Sequence, residues 1–314
     1  MKSTGIIGTA KNTGKTTTLN WLMKRQGSER VAVTGIGYDG EERDNITGLP
    51  KPRLRFEPGA IVATSEKCLA ASEAGCEIIT GTGIITALGE IIVARITRPG
   101  LVVIAGPNRA ADLKIVMNYI EHTGTETLLV DGSLNRMSPM YLMDEIIFAT
   151  GGARSRDIVQ LASEMKYAEQ LFRFSLNSLR PDKLYEVKSL YSSEDACGIP
   201  PNERSLYISS FFSDKALYHL MQMKETDDLV FDSPLQILIA CGLEGAEIFL
   251  SAAEQSGVRV SYMHRPELRM VTVNPFYPVE KDYRYSGGWL DRSELLNRMK
   301  ATLSVEVRDV AGES

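Results

Sequence analysis

The sequence predicts an α/β fold: a mostly parallel sheet with helices on both faces, followed by a smaller C-terminal α/β unit. Three observations predict it. Short continuous apolar runs of strand length alternate with helix-length segments that carry one apolar face. The apolar runs end in polar or glycine-rich loops, as the carboxyl ends of parallel strands do. The pattern breaks beyond Ser178, where Pro181, Pro200 and Pro201 surround a polar stretch, and then resumes. That break divides the chain into residues 1–180 and 181–314.

The first element sets the rest. Ile6 and Ile7 suit a buried strand, and Gly8-Thr9-Ala10-Lys11-Asn12-Thr13-Gly14-Lys15-Thr16-Thr17 follows directly. A helix begins near Lys15, with Leu19, Leu22 and Met23 on its apolar face. Loop N–H groups and the positive end of the helix dipole then face one concavity, which is the arrangement of a phosphate-binding loop. In that arrangement Lys15 reaches the β and γ phosphates and the Thr16 hydroxyl ligates magnesium. The bland reading is a glycine-rich turn between strand and helix; the context of strand, loop and amphipathic helix argues against it.

Length and composition bound the rest. A chain of 314 residues can bury about three quarters of its unfolded surface. Thirty-five basic against 40 acidic residues, net −5, argue against a nucleic-acid protein with an all-basic surface. Met1-Lys2-Ser3-Thr4 runs into the first strand without an apolar signal segment, and no stretch is apolar for eighteen residues. Ile78 to Ile96 comes nearest, but Gly81, Thr82, Gly83, Glu90 and Arg95 interrupt it. The expectation is a cytoplasmic protein with no membrane partner. Cys68, Cys76, Cys197 and Cys241 form no Cys-x-x-Cys pair, and His122, His219 and His264 stand singly, so no zinc site is signalled. Asn45-Ile46-Thr47 fits the glycosylation pattern, which a cytoplasmic chain would not use.

The next strand, Val31 to Thr34, leads into a loop rich in acidic residues. A carboxylate directed at magnesium belongs there in a phosphate-loop protein; Asp39 is the first candidate, Glu42 and Asp44 the alternates, and a solvated acidic turn the competing reading. Pro50, Pro52 and Pro58 make an extended connection. Ala60 to Ala63 reads as a strand, with a helix from Ser65 to Gly75 after it. Glu77-Ile78-Ile79 is a short strand, Thr80 to Gly83 a mobile segment, and Ala87 to Ile96 a helix. Leu101 to Ala105 has the character of a central parallel strand, ending at Gly106-Pro107-Asn108. A helix from Ala110 to His122 precedes the strand Leu128 to Val130, which ends at Asp131. An acidic residue there would hold magnesium-bound water or the attacking group, against the reading of a turn signal. Glu145 to Ala149 is the next strand and ends at Thr150-Gly151-Gly152, before a helix from Ser155 to Phe172. Right-handed crossovers would bring residues 8–16, Asp39, Asn108, Asp131 and residues 150–152 to one edge of the sheet. In the second unit, Leu206 to Ile208, Leu235 to Ala240, Val258 to Met263 and Met270 to Val273 read as strands, and Gly245 to Gln255 as a helix. Arg265, Asn274 and Tyr277 could hold an anionic or aromatic group there, or serve packing and capping.

The loop, Gly8-Thr9, four residues, then Gly14-Lys15-Thr16, resembles that of dethiobiotin synthetase and the MinD-like ATPases, a branch of P-loop NTPases. Many of those relatives carry a lysine in the second place of the motif; here it is Ala10, with Lys11 next, and a homodimer is left open. A guanine-reading Asn-Lys-x-Asp is absent, since Asn108-Arg109-Ala110-Ala111-Asp112 is one residue too long, so ATP is favoured over GTP. The chain also resembles the reactivating proteins of adenosylcobalamin-dependent lysine 5,6-aminomutase. The residues behind this are Ile7 to Asn20, Tyr38-Asp39-Gly40-Glu41 with Thr47-Gly48-Leu49-Pro50-Lys51-Pro52, Val130-Asp131-Gly132 with Asn135-Arg136, and Asn274-Pro275-Phe276. The resemblance implies a Mg2+- and ATP-dependent hydrolase that helps exchange damaged cobalamin on a mutase, alone or with a companion reactivase subunit. Lys15, Asp39 and Asp131 would then be catalytic; Thr16, Asp39 and Asp131 would hold the metal; residues 8–17 and Asn108 would hold the nucleotide. The alternatives are a dethiobiotin-synthetase-like ligase or kinase acting on a small carboxylate, and a nucleotide-gated regulatory module.

Overall fold

Ile6 and Ile7 are fully buried in β1 (Lys2–Gly8), the strand around which the first unit is built. The computed structural model describes residues 1–37, 54–133, 138–223, 226–281 and 284–312. Helix α1 (Lys15–Gln26) buries Thr18, Leu19 and Leu22 and stops at Gly27, whose φ of 82° a residue with a side chain rarely adopts. Then come β2 (Val31–Gly35), β3 (Leu54–Phe56), β4 (Ile61–Ser65), the short α2 (Glu66–Ala70), and a long hairpin of β5 (Gly75–Thr86) and β6 (Gly89–Arg98). They are followed by β7 (Gly100–Val102), α3 (Ala110–Glu121), β8 (Thr127–Ser133), β9 (Glu145–Gly151) and α4 (Ile158–Leu171).

The chain divides into two units, residues 1–161 with 268–314, and residues 162–267. The second contains β10 (Ser175–Leu176), β11 (Tyr185–Val187), α5 (Ser193–Cys197), β12 (Ser205–Ile208), α6 (Asp214–Met223), β13 (Asp228–Phe231), α7 (Pro234–Cys241), α8 (Ala246–Ser256) and β14 (Arg259–Tyr262). Its five strands form a parallel sheet in the order β10-β14-β13-β12-β11. The chain then continues with β15 (Glu267–Asn274), the hairpin of β16 (Phe276–Lys281) and β17 (Arg284–Trp289), α9 (Arg292–Thr302) and β18 (Glu306–Arg308).

The first unit holds a nine-stranded sheet in the order β18-β15-β9-β1-β8-β2-β4-β6-β5. Strands β9, β1, β8, β2 and β4 run parallel, with Ile6 opposite Ile147 on one side and Asp131 on the other. Hairpin β5–β6 adds two antiparallel strands at one edge. The carboxyl ends of β1, β8, β2 and β9 therefore open on one side, as the alternation of elements implies. Among the described residues no single helix is long and apolar enough to cross a membrane.

Several expectations are corrected. Residues 87–96, read as a helix, form most of β6. Ile91, Ile92, Val93 and Ala94 are all buried, with α2 and α3 both packed against β6, and a strand covered in this way has the same unbroken apolar run as a buried helix. Residues 80–83 lie within β5, where the Thr82 hydroxyl donates to Ile91 O at 2.9 Å. Residues 101–105 are not a central strand: only β7 forms there, paired antiparallel with β3. Beyond it Val103 is half-buried and Ile104 and Ala105 are buried, and Thr64 fastens the segment, its hydroxyl donating to Val103 O at 2.9 Å and accepting from Ala105 N–H at 2.8 Å.

In the second unit residues 235–240, read as a strand, are α7, started by Pro234 and ended by Gly242 at φ 72°. The division expected at residue 181 falls earlier, within α4, and the smaller unit is an insertion, not a C-terminal domain. The break in pattern beyond Ser178 lies inside it. Residues 270–273 belong to β15, which returns to the large sheet beside β9.

Candidate functional site

The loop of residues 8–17 owes its shape to a few backbone requirements. A Cβ on Gly8 would lie 3.2 Å from the Thr13 hydroxyl and 3.4 Å from Ala10 O, so the turn closes tightly over a residue without a side chain. Thr9 is anchored to the next strand: its N–H donates to Ala149 O at 2.9 Å and its hydroxyl to that of Thr150 at 2.9 Å. The Thr13 hydroxyl donates to Ala10 O at 2.9 Å. Asn12 and Gly14 take left-handed conformations, with φ of 65° and 93°. Gly14 O then accepts both the N–H and the hydroxyl of Thr18, at 2.9 and 3.1 Å, and α1 begins.

The carbonyls of Ala10 and Gly14 are thus committed within the loop and the first turn of α1. Among the described residues, the backbone N–H groups of Lys11, Asn12, Thr13, Gly14 and Thr16 donate to no protein acceptor. Lone donors at the start of a helix suit an anion with several oxygens. Lys15 Nζ lies 3.1 Å from Asp131 Oδ1, each side chain 15% exposed. Asp131 stands in register with Ile6 of β1 and Gly35 of β2, which brings it alongside the loop. It lies within β8, two residues before the strand ends, instead of after it.

Thr16 and Thr17 are half-buried in the first turn of α1, and Lys11 is exposed. Asn108 follows Gly106 and Pro107, which exchange hydrogen bonds with Gly37 at 3.0 and 3.2 Å beyond the end of β2. Asn108 itself is exposed and makes no hydrogen bond to the loop. Asp39, with its alternates Glu42 and Asp44, lies outside the described residues, as do the stretches 38–41, 47–52 and 135–136. Arg265 belongs to the inserted unit, where its guanidinium donates to Phe174 O at 3.1 Å. No group of three or more His, Cys, Asp or Glu side chains able to hold a metal occurs among the described residues. Thr16 and Asp131 are oxygen donors of the kind magnesium accepts, and two such ligands suit it when phosphate oxygens complete the shell.

The sequence reading singled out Asn274 but assigned it to the second unit, and so missed what β15 contributes to the loop. The Thr18 and Thr272 hydroxyls are 2.8 Å apart, and Asn274 Nδ2 donates to Asn12 O at 3.0 Å. Gly151, at φ 149°, and Gly152 lie so close to Asn274 that any Cβ on Gly151 would enter its carbonyl; Gly152 N–H donates to that carbonyl at 3.0 Å. Tyr277 carries the Arg156 guanidinium over its ring, 4.7 Å from the centroid. The signal available in the sequence was Val273-Asn274-Pro275, an apolar strand ending in a polar residue and a proline.

Near the amino end of β9 stands a buried charge. Burial works against ionisation of Glu145, but hydrogen bonds from Lys2, Thr4 and Arg269, with the Arg269 charge, outweigh it and hold the carboxyl below its ordinary range. Compared with family models, curated proteins and solved structures, the chain matches none of them.

Proposed function

We propose that the chain is a P-loop ATPase that binds Mg-ATP in the loop of residues 8–17 and uses its hydrolysis to reactivate an adenosylcobalamin-dependent aminomutase, promoting exchange of damaged cofactor. The observation that carries the nucleotide part is the Lys15–Asp131 pair beside a loop in which, among the described residues, the N–H groups of Lys11, Asn12, Thr13, Gly14 and Thr16 are not spent on protein acceptors. Those N–H groups would bind phosphate oxygens, and Lys15 would leave Asp131 to meet the β and γ phosphates. Thr16 would hold the metal, and Asp131 would hold either the metal's water or the attacking water. Magnesium, when bound, would neutralise charge on the phosphate oxygens. The reactivase part rests on the sequence resemblance, supported by an inserted α/β unit of residues 162–267 that a small-molecule ligase of this kind does not need.

The test is phosphate release from Mg-ATP and Mg-GTP by wild type and Lys15→Ala, with and without a cobalamin-inactivated aminomutase. Turnover of ATP that needs Lys15 and rises with the inactive mutase supports the proposal. A mutase that alters neither turnover nor its own activity removes the reactivase reading. A rise with a small carboxylate instead would favour a ligase or kinase.

A further inference from the structure

We infer that Asn274 is a positioning residue for the phosphate loop, holding Asn12 in its left-handed conformation and so setting the aim of the loop's N–H groups. The inference rests on the nucleotide reading of that loop. Among the described residues Asn12 is the one non-glycine residue with positive φ, and such a conformation persists where its surroundings hold it. Its carbonyl accepts Nδ2–H of Asn274 at 3.0 Å.

The donating amide is itself held. Asn274 Oδ1 accepts Phe276 N–H at 3.2 Å, so the orientation that presents Nδ2 to Asn12 O is the one that satisfies both ends; the flipped amide would set oxygen against oxygen. The backbone carbonyl of Asn274 accepts Gly152 N–H at 3.0 Å, fixing the residue to the end of β9. A Cβ on Gly14 would stand 3.1 Å from that of Asn274. One side chain on β15 thus bonds the left-handed Asn12 and occupies the space that a side chain on the left-handed Gly14 would need. An aspartate at 274 would keep the contact with Phe276 but place an oxygen against Asn12 O and a negative charge beside a polyphosphate. Loop N–H groups bind ground and transition states alike, so a misaimed loop should raise KM more than it lowers kcat.

The test uses the full chain with Asn274→Ala and Asn274→Asp, first checked for folding by thermal unfolding. Affinities for Mg-ATP and for Mg-bound inorganic tripolyphosphate are then measured by calorimetry, and KM and kcat by phosphate release. For Asn274→Ala the expected result is a loss of about five- to tenfold in both affinities, with a larger loss for Asn274→Asp. KM should rise by a similar factor while kcat stays within about twofold. Unchanged tripolyphosphate affinity in both variants overturns the assignment, whether ATP affinity is kept or lost; loss of ATP alone would mean that Asn274 meets the base. A fall in kcat at constant KM also overturns it. Should Asn274→Ala not fold, Asn274→Asp, which fills the same space, carries the test; failure of both to fold makes Asn274 a folding residue and ends the assignment. If wild type binds neither ATP nor tripolyphosphate, the nucleotide reading fails, whereas wild-type binding matched by both variants defeats only the role of Asn274.

Discussion

Lys15 Nζ, at the start of α1, and Asp131 Oδ1, on β8, meet at 3.1 Å, so the cation that the proposal assigns to phosphate is held by the carboxylate that the proposal assigns to the water. On the proposed function, phosphate binding would exchange one partner of Lys15 for another. Lys15→Ala should weaken ATP binding by tenfold or more, a charge-assisted bond being worth about 1.5–3 kcal/mol, and should abolish phosphate release. Calorimetry on the variant checks the first and a phosphate assay the second; unchanged affinity would refute the role.

Asp131→Asn should separate binding from turnover. It keeps the shape of the side chain and removes the charge that restrains Lys15, so ATP binding should persist or tighten. Turnover should fall by about 10²–10⁴ if Asp131 handles the water's proton. A variant that hydrolyses at the wild-type rate would show that the carboxylate is merely the lysine's resting partner.

Gly106 is expected to tolerate no side chain. Any Cβ there would enter the carbonyl of Gly35, which is backbone and cannot rotate aside. Gly106→Ala should therefore unfold the chain or lower its melting temperature by many degrees. Gly124→Ala is a useful contrast: nothing lies within 4 Å, and only its φ of 78° opposes the change, at about 1 kcal/mol. Thermal unfolding of the two, compared side by side, decides the matter.

Glu145 makes a prediction about acid. Its folded carboxyl titrates below the ordinary value because Lys2, Thr4 and Arg269 outweigh its burial. Its contribution is therefore present above the unfolded pKa, near 4.3, and is lost as pH falls through the lower folded value. Glu145→Gln should cost about 1.5–3 kcal/mol at pH 7, and the gap from wild type should narrow below about pH 4. Urea unfolding at both pH values measures it; a gap independent of pH would mean that the charge contributes nothing.

These residues also show how far local pattern reaches. Residues 5–17, α1 and Asp131 were legible because strand, turn and helix signals lie side by side in the chain. Thr272 and Asn274 were not, since their partners Thr18 and Asn12 are 254 and 262 residues away and no local pattern encodes such a pairing. Strand β6 was misread because an apolar run buried on both sides looks alike in either backbone conformation. The α/β class came through, whereas the insertion did not: a change in composition marks where elements become sparse, not where the chain leaves a sheet and comes back.

That interruption bears on how the protein is made. Asn274 is synthesised 262 residues after Asn12, a delay of roughly 13–50 s at about 5–20 residues per second. Throughout it the loop exists without its clamp, and from the completion of β9 onward that strand has no β15 along its outer edge. The ribosome thus releases a half-sheet with one unpaired rim before it delivers the strand that seals it, and in that interval the nascent chain is open to pairing with the wrong neighbour.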